Sequence, residues 1–208
     1  HPAFQDYPVV GISWLQAVAF CNWRTHFKNS YQKSKGKPLV NNFRLPSEAE
    51  WEFAATARGE QVRFPWGNEA PGQGEVKCNI WEGQFPVFNA KLDGHVKTAP
   101  VMSYPANGLG IYDLGGNVWE LCSDWYDPST YARRSDELVL NPRGPGASFD
   151  PMEDHVPKRV MRGGSFLCHP GYCSSYRVTA RMPVADDTGA SHVGFRCVRD
   201  SMSLAPQN

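Results

Sequence analysis

The chain has 208 residues, with 21 Lys plus Arg balanced by 21 Asp plus Glu, so its formal net charge is zero. This balance provides no overall field that would attract nucleic acid or an anionic membrane, and no apolar run approaches the roughly 20 residues that cross a bilayer. With 19 Gly, 17 Pro, seven Trp and eight Tyr, we expect one domain with an aromatic core, many irregular loops and little regular secondary structure.

The N-terminal part predicts a short strand followed by a helix. The extended sequence YPVVGIS covers residues 7–13, and Ser13 lies three positions before Gln16, which is the capping-box pattern of a helix start. The helix should run over Trp14–Phe27. Positions 14, 18 and 21 then share one stripe, which we expect to face the core. Cys21 is therefore either an inert buried thiol or half of a long-range disulfide.

The next segment predicts a loop and a second helix. Residues Lys28–Leu39 are polar and basic with two helix breakers, and we interpret them as a solvated loop. Ser47 and Glu50 then form a second capping box, so a short amphipathic helix should follow and end near Gly59.

The second half of the chain predicts short strands and long loops. Residues 61–105 carry turn signals and need no helix, and residues 110–114 suggest a strand. Residues 127–159 form a long surface excursion of the kind that is usually functional or mobile. The sequences VMRGGSF and SHVGFRCVRD predict two further strands. Residues 201–208 are expected to be a tail.

The segment Gly163–Arg177, GGSFLCHPGYCSSYR, holds two of the six cysteines. Pro170 and Gly171 force a turn between Cys168 and Cys173, so both sulfurs can point into one small space. Spacing alone leaves three possibilities: a local disulfide, half of a zinc site, or a reactive two-thiolate centre.

Six motifs occur together in the order of a known family: FRLPSEAEWEFAA, FPWGN, NIWEGQFPVFN, YDLGGNVWELCSDWY, VMRGGSF and GFRCVRD. In this respect Tyr7–Asp200 resembles the sulfatase-modifying-factor family, whose type member is the formylglycine-generating enzyme. The resemblance implies an α+β fold: one irregular, C-type-lectin-like domain. These motifs indicate fold, whereas GGSFLCHPGYC, with both cysteines, is the piece that resembles the members making formylglycine.

The resemblance implies a copper-dependent oxidase that uses O2 to convert the cysteine of a Cys-X-Pro-X-Arg segment in an unfolded sulfatase into formylglycine. Cys168 and Cys173 would be soft ligands for Cu(I), and the substrate thiol would be the third sulfur. Hydrogen abstraction from the substrate Cβ and hydrolysis of the resulting thioaldehyde would follow. Ser165 and Tyr172 match positions that hydrogen-bond an oxygen species, and Trp119 matches one that excludes water and holds the peptide. Ordinary turn bonding and packing remain open for these three residues.

The resemblance also implies one structural disulfide. It pairs Cys21 with Cys197 and would contribute about 4 kcal/mol in the chain-entropy model. The family's second disulfide is absent at both ends, because position 178 is Val and positions 54 and 55 are Ala. Cys78 and Cys122 have no counterpart, and they either pair or stay free. A disulfide indicates an oxidising compartment, either the periplasm or the secretory lumen.

Two calcium sites are implied as well, with hard oxygen ligands from irregular loops. The first consists of Asn79, the carbonyl of Ile80, Asp93 and the carbonyl of His95. The second consists of Asp113, the carbonyls of Gly116 and Val118, and Glu120. The alternative is that both Asp residues form ordinary Asx turns beside glycines.

Three features depart from the family. A further N-terminal portion is missing, and the chain starts with neither a signal peptide nor Met, so we expect a mature, truncated or partial product. His192 replaces an asparagine that contacts substrate. Residues 28–40 are an insertion of a kind that also occurs in non-catalytic lipoprotein relatives. A non-catalytic scaffold with Cys168 and Cys173 disulfide-bonded, or a calcium-dependent binding module, are therefore alternative functions.

Overall fold

The computed structural model describes residues 1–134 and 138–201, so the expected tail lies, apart from residue 201, outside the described part. The described residues form two α-helices, two single-turn 3-10 helices and six strands. The α-helices are α1 (Trp14–Ser34) and α2 (Glu48–Ala55). The strands are β1 (Phe43–Arg44), β2 (Trp119–Trp125), β3 (Lys158–Arg162), β4 (Arg181–Ala185), β5 (Val193–Gly194) and β6 (Val198–Arg199). The expected scarcity of regular structure is confirmed.

Both helices begin where the sequence predicts. The Ser13 hydroxyl accepts a hydrogen bond from the Gln16 amide at 3.3 Å, and the Gln16 side chain accepts one from the Ser13 amide at 2.9 Å. Ser47 and Glu50 form the same reciprocal pair at the start of α2. The predicted inner stripe of α1 is also confirmed, because Cys21 is buried and positions 14 and 18 pack against the core.

The predicted loop over Lys28–Leu39 is wrong in its first half, because α1 continues to Ser34. The returning chain holds these extra turns in place. The Asn29 side chain donates to the Val40 carbonyl at 3.1 Å and accepts from the Val40 amide at 2.8 Å, and the Gln32 side chain donates to the Pro38 carbonyl at 3.0 Å. These contacts between side chain and backbone leave no trace in the periodicity of the sequence.

The strands form two sheets. The larger has the order β4-β3-β2-β5, in which β5 is parallel to β2 and the other neighbours are antiparallel. The smaller pairs β1 with β6. VMRGGSF thus forms the predicted strand, β3, whereas the predicted closing strand is divided into β5 and β6, one in each sheet.

Two predicted strands are wrong: residues 7–13 and 110–114 are irregular. The Gly11 amide donates to the Ala190 carbonyl at 3.0 Å, but residues 7–13 form no ladder. Around residue 110 the chain is organised by Asn107, whose side-chain oxygen accepts hydrogen bonds from the amides of Leu109 and Ile111. Asp113 then has a φ of +58°, which is incompatible with a strand.

The core consists of two buried clusters. The first includes Cys21, Phe64, Cys78, Trp119, Leu121, Cys168, Tyr176 and Val193. The second includes Trp51, Ala55, Leu114, Cys122, Val160 and Val178. Ala55 and Val178, which stand in the region of the family's second disulfide, therefore make an apolar contribution to one cluster.

A buried ion-pair network fixes the end of β3 against α2. Arg162 is completely buried and donates to Glu48 at 2.7 Å and to Glu52 at 2.5 Å. Glu48 also accepts two hydrogen bonds from Arg181 on β4, each at 2.7 Å. The network thus anchors the strand residue that immediately precedes Gly163.

An asparagine pair organises the buried loops beside the sheet. The Asn117 amide donates to the Asn79 carbonyl at 2.8 Å, and the Asn79 side chain donates to the Asn117 side-chain oxygen at 3.3 Å. That oxygen also accepts from the Ala99 amide, and the Asn117 carbonyl accepts from the Phe166 amide. Three loops are therefore joined without a strand.

Neither helix of the described part combines the length and the apolar content that a membrane span requires.

Candidate active site

The two cysteines lie in the segment Ser165–Cys173, which we call the thiol turn. It follows β3 after two glycines in the left-handed region, with φ values of +89° and +70°. The Cys168 amide donates to the Ser165 carbonyl at 2.9 Å, and the Cys173 amide donates to the His169 carbonyl at 2.8 Å. These bonds fold the segment back on itself, as the Pro-Gly sequence predicts. The thiol turn is also tied to the neighbouring loop, because the Trp81 amide donates to the Cys168 carbonyl at 2.9 Å.

The two thiols are free, close together and differently exposed. Cys168 is buried, whereas Cys173 is only partly buried. The hydrogen bond between them lowers the pKa of Cys173 to about 6, and Ser175 stabilises the same thiolate through its hydroxyl and amide. That hydrogen bond, together with burial, raises the pKa of Cys168. The pair therefore holds one thiolate near neutral pH on its exposed side, with a thiol beneath it.

Ser165 and Trp119 are both buried beside this pair. The Ser165 hydroxyl accepts a hydrogen bond from the Leu167 amide at 3.2 Å, which is the ordinary turn bond that remained open from sequence. It still carries a proton that can be donated. Trp119 is the first residue of β2 and lies in the same core cluster as Cys168. Both residues are therefore close to the pair, and both also have structural contacts.

Tyr172 lies on the outer side of the thiol turn and is 52% exposed. Its hydroxyl donates to the Leu167 carbonyl, and its ring packs on Phe85 with a centroid separation of 4.5 Å. Burial and the neighbouring thiols raise its pKa to about 12, so the phenol keeps its proton at neutral pH. Tyr172 and Phe85 together form an exposed aromatic surface next to Cys173.

Two residues near the thiols were missed by sequence reasoning. Ser175 contacts the Cys173 thiolate, as described above. Tyr176 is 2% exposed, and burial together with Cys78, Cys168 and Cys173 raises its pKa to about 12. Both lie in the sequence SSYR directly after the second cysteine, so their position within the motif was the available signal.

His192 lies immediately before β5, and its carbonyl accepts a hydrogen bond from the Trp119 amide at 2.8 Å. Burial lowers the pKa of its imidazole. The position expected to contact substrate is therefore attached by its backbone to the strand that carries Trp119.

The residues of the first expected calcium site come together. The Asp93 carboxylate accepts hydrogen bonds from the Ile80 amide at 3.2 Å and the His95 amide at 2.8 Å, and Glu82 accepts from the Asp93 amide. Asn79 adjoins Ile80 and is buried. Burial raises the pKa of both Asp93 and Glu82. The arrangement is an Asx turn with two half-buried carboxylates, whose charges a cation would compensate.

The second expected calcium site is only partly free. Asp113 has one carboxylate oxygen that is buried without a partner, and burial raises its pKa. Glu120, however, accepts hydrogen bonds from Trp51 at 2.7 Å and from Arg196 at 2.6 Å. Gly116 and Val118 lie between these two acidic residues on the loop that enters β2. A cation here would have to share Glu120 with Arg196, so the first site fits calcium better.

The other cysteines divide into two situations. The sulfurs of Cys21 and Cys197 lie 3.5 Å apart, and both thiols are free. Cys78 and Cys122 are also free, and they lie in different core clusters. The structure thus brings the first pair together and keeps the second pair apart.

A cavity of about 620 Å³ lies between α1, α2 and β1, and none of its lining residues belongs to the thiol turn. Among the described residues, no group of three or more His, Cys, Asp or Glu side chains is arranged to hold a metal ion. A metal held at the thiol turn would therefore have the two sulfurs as its ligands from this part of the chain.

Comparison with known proteins identifies one family. The model of the sulfatase-modifying factor enzyme 1-like domain matches residues 2–201. The chain is 43% identical to the formylglycine-generating enzyme of Thermomonospora curvata, over 95% of this chain and 57% of that protein. It is 42% identical to the enzyme of the same name from Streptomyces coelicolor, over 94% and 54%. The chain thus spans about half the length of the curated relatives it matches.

A solved structure, Treponema denticola variable protein 1, has the same fold. It superposes with a TM-score of 0.61 at 26% identity, over 92% of this chain and 70% of that one.

Proposed function

The chain belongs to the sulfatase-modifying factor family, and on that premise we propose that it converts a cysteine of sulfatases into formylglycine. The relatives at 42–43% identity carry the name of that activity. The substrate would be an unfolded sulfatase segment of the form Cys-X-Pro-X-Arg, and O2 would be the electron acceptor.

The observation that carries this proposal is the pair of free thiols in the thiol turn. A structural disulfide needs no difference in exposure between its halves, but here Cys168 is 2% exposed and Cys173 is more open. A stabilised thiolate on the open side is the arrangement of a reactive or metal-binding cysteine.

The donor set fits Cu(I). Two soft sulfurs favour Cu(I), and two such ligands leave space for a third sulfur from the substrate. When bound, copper would supply the coordination of the substrate thiol and the activation of O2. Cys168 would hold it from the buried side and Cys173 from the exposed side.

The surrounding residues have roles that follow from their positions. Trp119 and the first core cluster keep water from the buried side of the thiols. The Ser165 hydroxyl can donate a hydrogen bond into the same space. Tyr172 and Phe85 present an exposed aromatic surface on which an extended peptide could pack.

Calcium would act as a structural ion. Bound at Asp93 and Asn79, it would stabilise the loop whose Trp81 amide holds the Cys168 carbonyl. It would thus fix the position of the thiol turn without taking part in the oxidation.

The test is Cu(I) binding by the reduced protein, followed by O2 consumption with a Cys-X-Pro-X-Arg peptide and mass detection of the aldehyde product. We expect one Cu(I) per chain, with binding and turnover lost in Cys168→Ser and Cys173→Ser. Cys122→Ser is the matched control, because it removes a buried thiol from the other core cluster. Copper affinity and turnover that survive Cys168→Ser would disprove the oxidase. A Cys168–Cys173 disulfide that resists reduction would instead support a non-catalytic scaffold.

A further inference from the structure

The outer face of α1 carries an exposed aromatic stripe. Phe20, Trp23, Phe27 and Tyr31 recur at spacings of three and four, so they share one side of the helix. Their exposed fractions are 42%, 55%, 64% and 51%. The rings also contact one another: Trp23 stacks on Phe27 at 5.2 Å and lies 5.4 Å from Phe20. The stripe is therefore one continuous apolar surface.

The charge around this stripe is one-sided, although the whole chain is neutral. Between Asp6 and Glu48 the sequence contains no acidic residue. The same stretch contains six basic residues, namely Arg24, Lys28, Lys33, Lys35, Lys37 and Arg44. The ammonium groups of Lys28 and Lys35 lie 5.7 and 5.9 Å from the centre of the Tyr31 ring. Positive charge therefore borders the aromatic stripe directly.

These lysines are not compensated by neighbours. Arg44 pairs with Glu50 and Asp200, but no ion pair of the described residues includes a lysine between positions 28 and 37. An aromatic face bordered by uncompensated lysines requires a partner that is both apolar and anionic.

We propose that this face of α1 binds the surface of an anionic phospholipid bilayer. The rings would enter the boundary between headgroups and acyl chains, where aromatic side chains are favoured, while the lysines bind the phosphate groups. Each lysine close to an anionic surface contributes about a fivefold gain in binding, and the apolar stripe adds to this. At about 31 Å long, α1 would lie along the surface.

The extension of α1 strengthens this assignment. Without the turns from Lys28 to Ser34, the helix would lose Tyr31 and the lysines beside it. The reciprocal bonds between Asn29 and Val40 keep these turns helical, so the stripe and its charges are held in a fixed arrangement.

Two other partners fit the face less well. A second copy of the chain would bring two uncompensated groups of lysines together, and like charges repel. A single-stranded nucleic acid stacks its bases on free ring faces, whereas Trp23 and Phe27 already stack on each other.

The experiment is co-sedimentation of the full chain with vesicles of equimolar phosphatidylcholine and phosphatidylglycerol, and with pure phosphatidylcholine vesicles. We expect binding to the anionic vesicles that weakens with added salt and is at least about tenfold weaker on pure phosphatidylcholine. Trp23→Ser/Phe27→Ser and Lys28→Glu/Lys35→Glu should each weaken it at least about tenfold. All four positions lie outside the candidate active site, so thermal unfolding can verify that each variant is folded.

Phe149→Ser is the matched control, because Phe149 is 47% exposed and lies far along the chain from α1. It should bind vesicles like the unchanged protein. The proposal is overturned if the anionic vesicles bind no more protein than phosphatidylcholine, or if the Trp23→Ser/Phe27→Ser variant binds like Phe149→Ser. It is equally overturned if light scattering shows a dimer that only this aromatic variant dissociates.

Discussion

Gly164 lies directly against the sulfur of Cys168. A Cβ on Gly164 would stand 3.2 Å from that sulfur and 2.9 Å from the amide nitrogen of Tyr176, and the residue has a φ of +70°. Only glycine fits this position without moving the thiol turn.

Gly164→Ala should therefore destabilise the protein by about 2 kcal/mol or more and weaken Cu(I) binding. Gly11→Ala is the matched control, since Gly11 has a φ of +74° but nothing within 4 Å of its added Cβ. It should cost only the backbone term of about 1 kcal/mol and leave copper binding unchanged. Urea unfolding and a Cu(I) competition titration measure both effects, and equal results for the two variants would contradict the contact.

Alkylation of Cys173 should follow its lowered pKa. The thiolate is the reactive form, so the rate with iodoacetamide should rise as the pH increases through about 6 and level off above it. In Cys168→Ala the hydrogen bond is lost, and the midpoint should move up towards about 8.5. Site-resolved mass spectrometry gives both midpoints, and Cys122, whose pKa is raised by burial, should stay unlabelled. A midpoint that Cys168→Ala leaves in place would show that the thiols do not interact.

Oxidation should join Cys21 and Cys197, whose sulfurs are 3.5 Å apart across 176 positions of sequence. We propose that the protein works in an oxidising compartment, where this bond would stabilise it by about 4 kcal/mol. Thermal unfolding with and without reductant tests this, and the difference should disappear in Cys21→Ser. Equal melting temperatures of the oxidised and reduced protein would remove the disulfide from the argument.

Removal of calcium should lower the melting temperature. At the proposed first site the half-buried Asp93 and Glu82 would lose their counter-charge, so chelation with EGTA should destabilise the protein and calcium should restore it. In Asp93→Asn the response to EGTA should be smaller. Asp154→Asn is a control, because that carboxylate is exposed and belongs to neither site. An unchanged melting temperature after chelation would exclude both sites.

The buried network should be worth far more than an exposed ion pair. Arg162→Ala leaves Glu48 with Arg181 alone and Glu52 without its partner, so we expect a loss of about 3 kcal/mol in unfolding free energy. Arg44→Ala breaks an ion pair whose side chains are 35% and 44% exposed, and should cost at most about 1 kcal/mol. Similar values from urea unfolding would mean that the network adds little.

Local signals in the sequence predicted the helix starts, β3 and the turn between the thiols. Capping boxes and Pro-Gly turns act over three or four residues, so they can be recognised without the fold. The end of α1 could not be predicted in this way, because it depends on Asn29 meeting Val40. The Arg162–Glu48 pair joins residues 114 positions apart and is invisible in sequence.

The candidate site shows the same division. The two cysteines and their neighbours Ser165 and Tyr172 were identifiable from one motif. The difference in exposure between the thiols, and the contact of Ser175 with Cys173, arise only when the turn packs on the core.

The bonds around Asn117 have a consequence for hydrogen exchange. The amides of Asn117, Ala99 and Phe166 belong to no helix or strand, yet all three residues are at most 5% exposed and each amide has a partner in the asparagine network. Deuterium can reach these amides only when several loops separate together. Some of the slowest-exchanging amides in this protein should therefore lie in loops, and the rigid frame of the thiol turn would be found there as much as in the sheet.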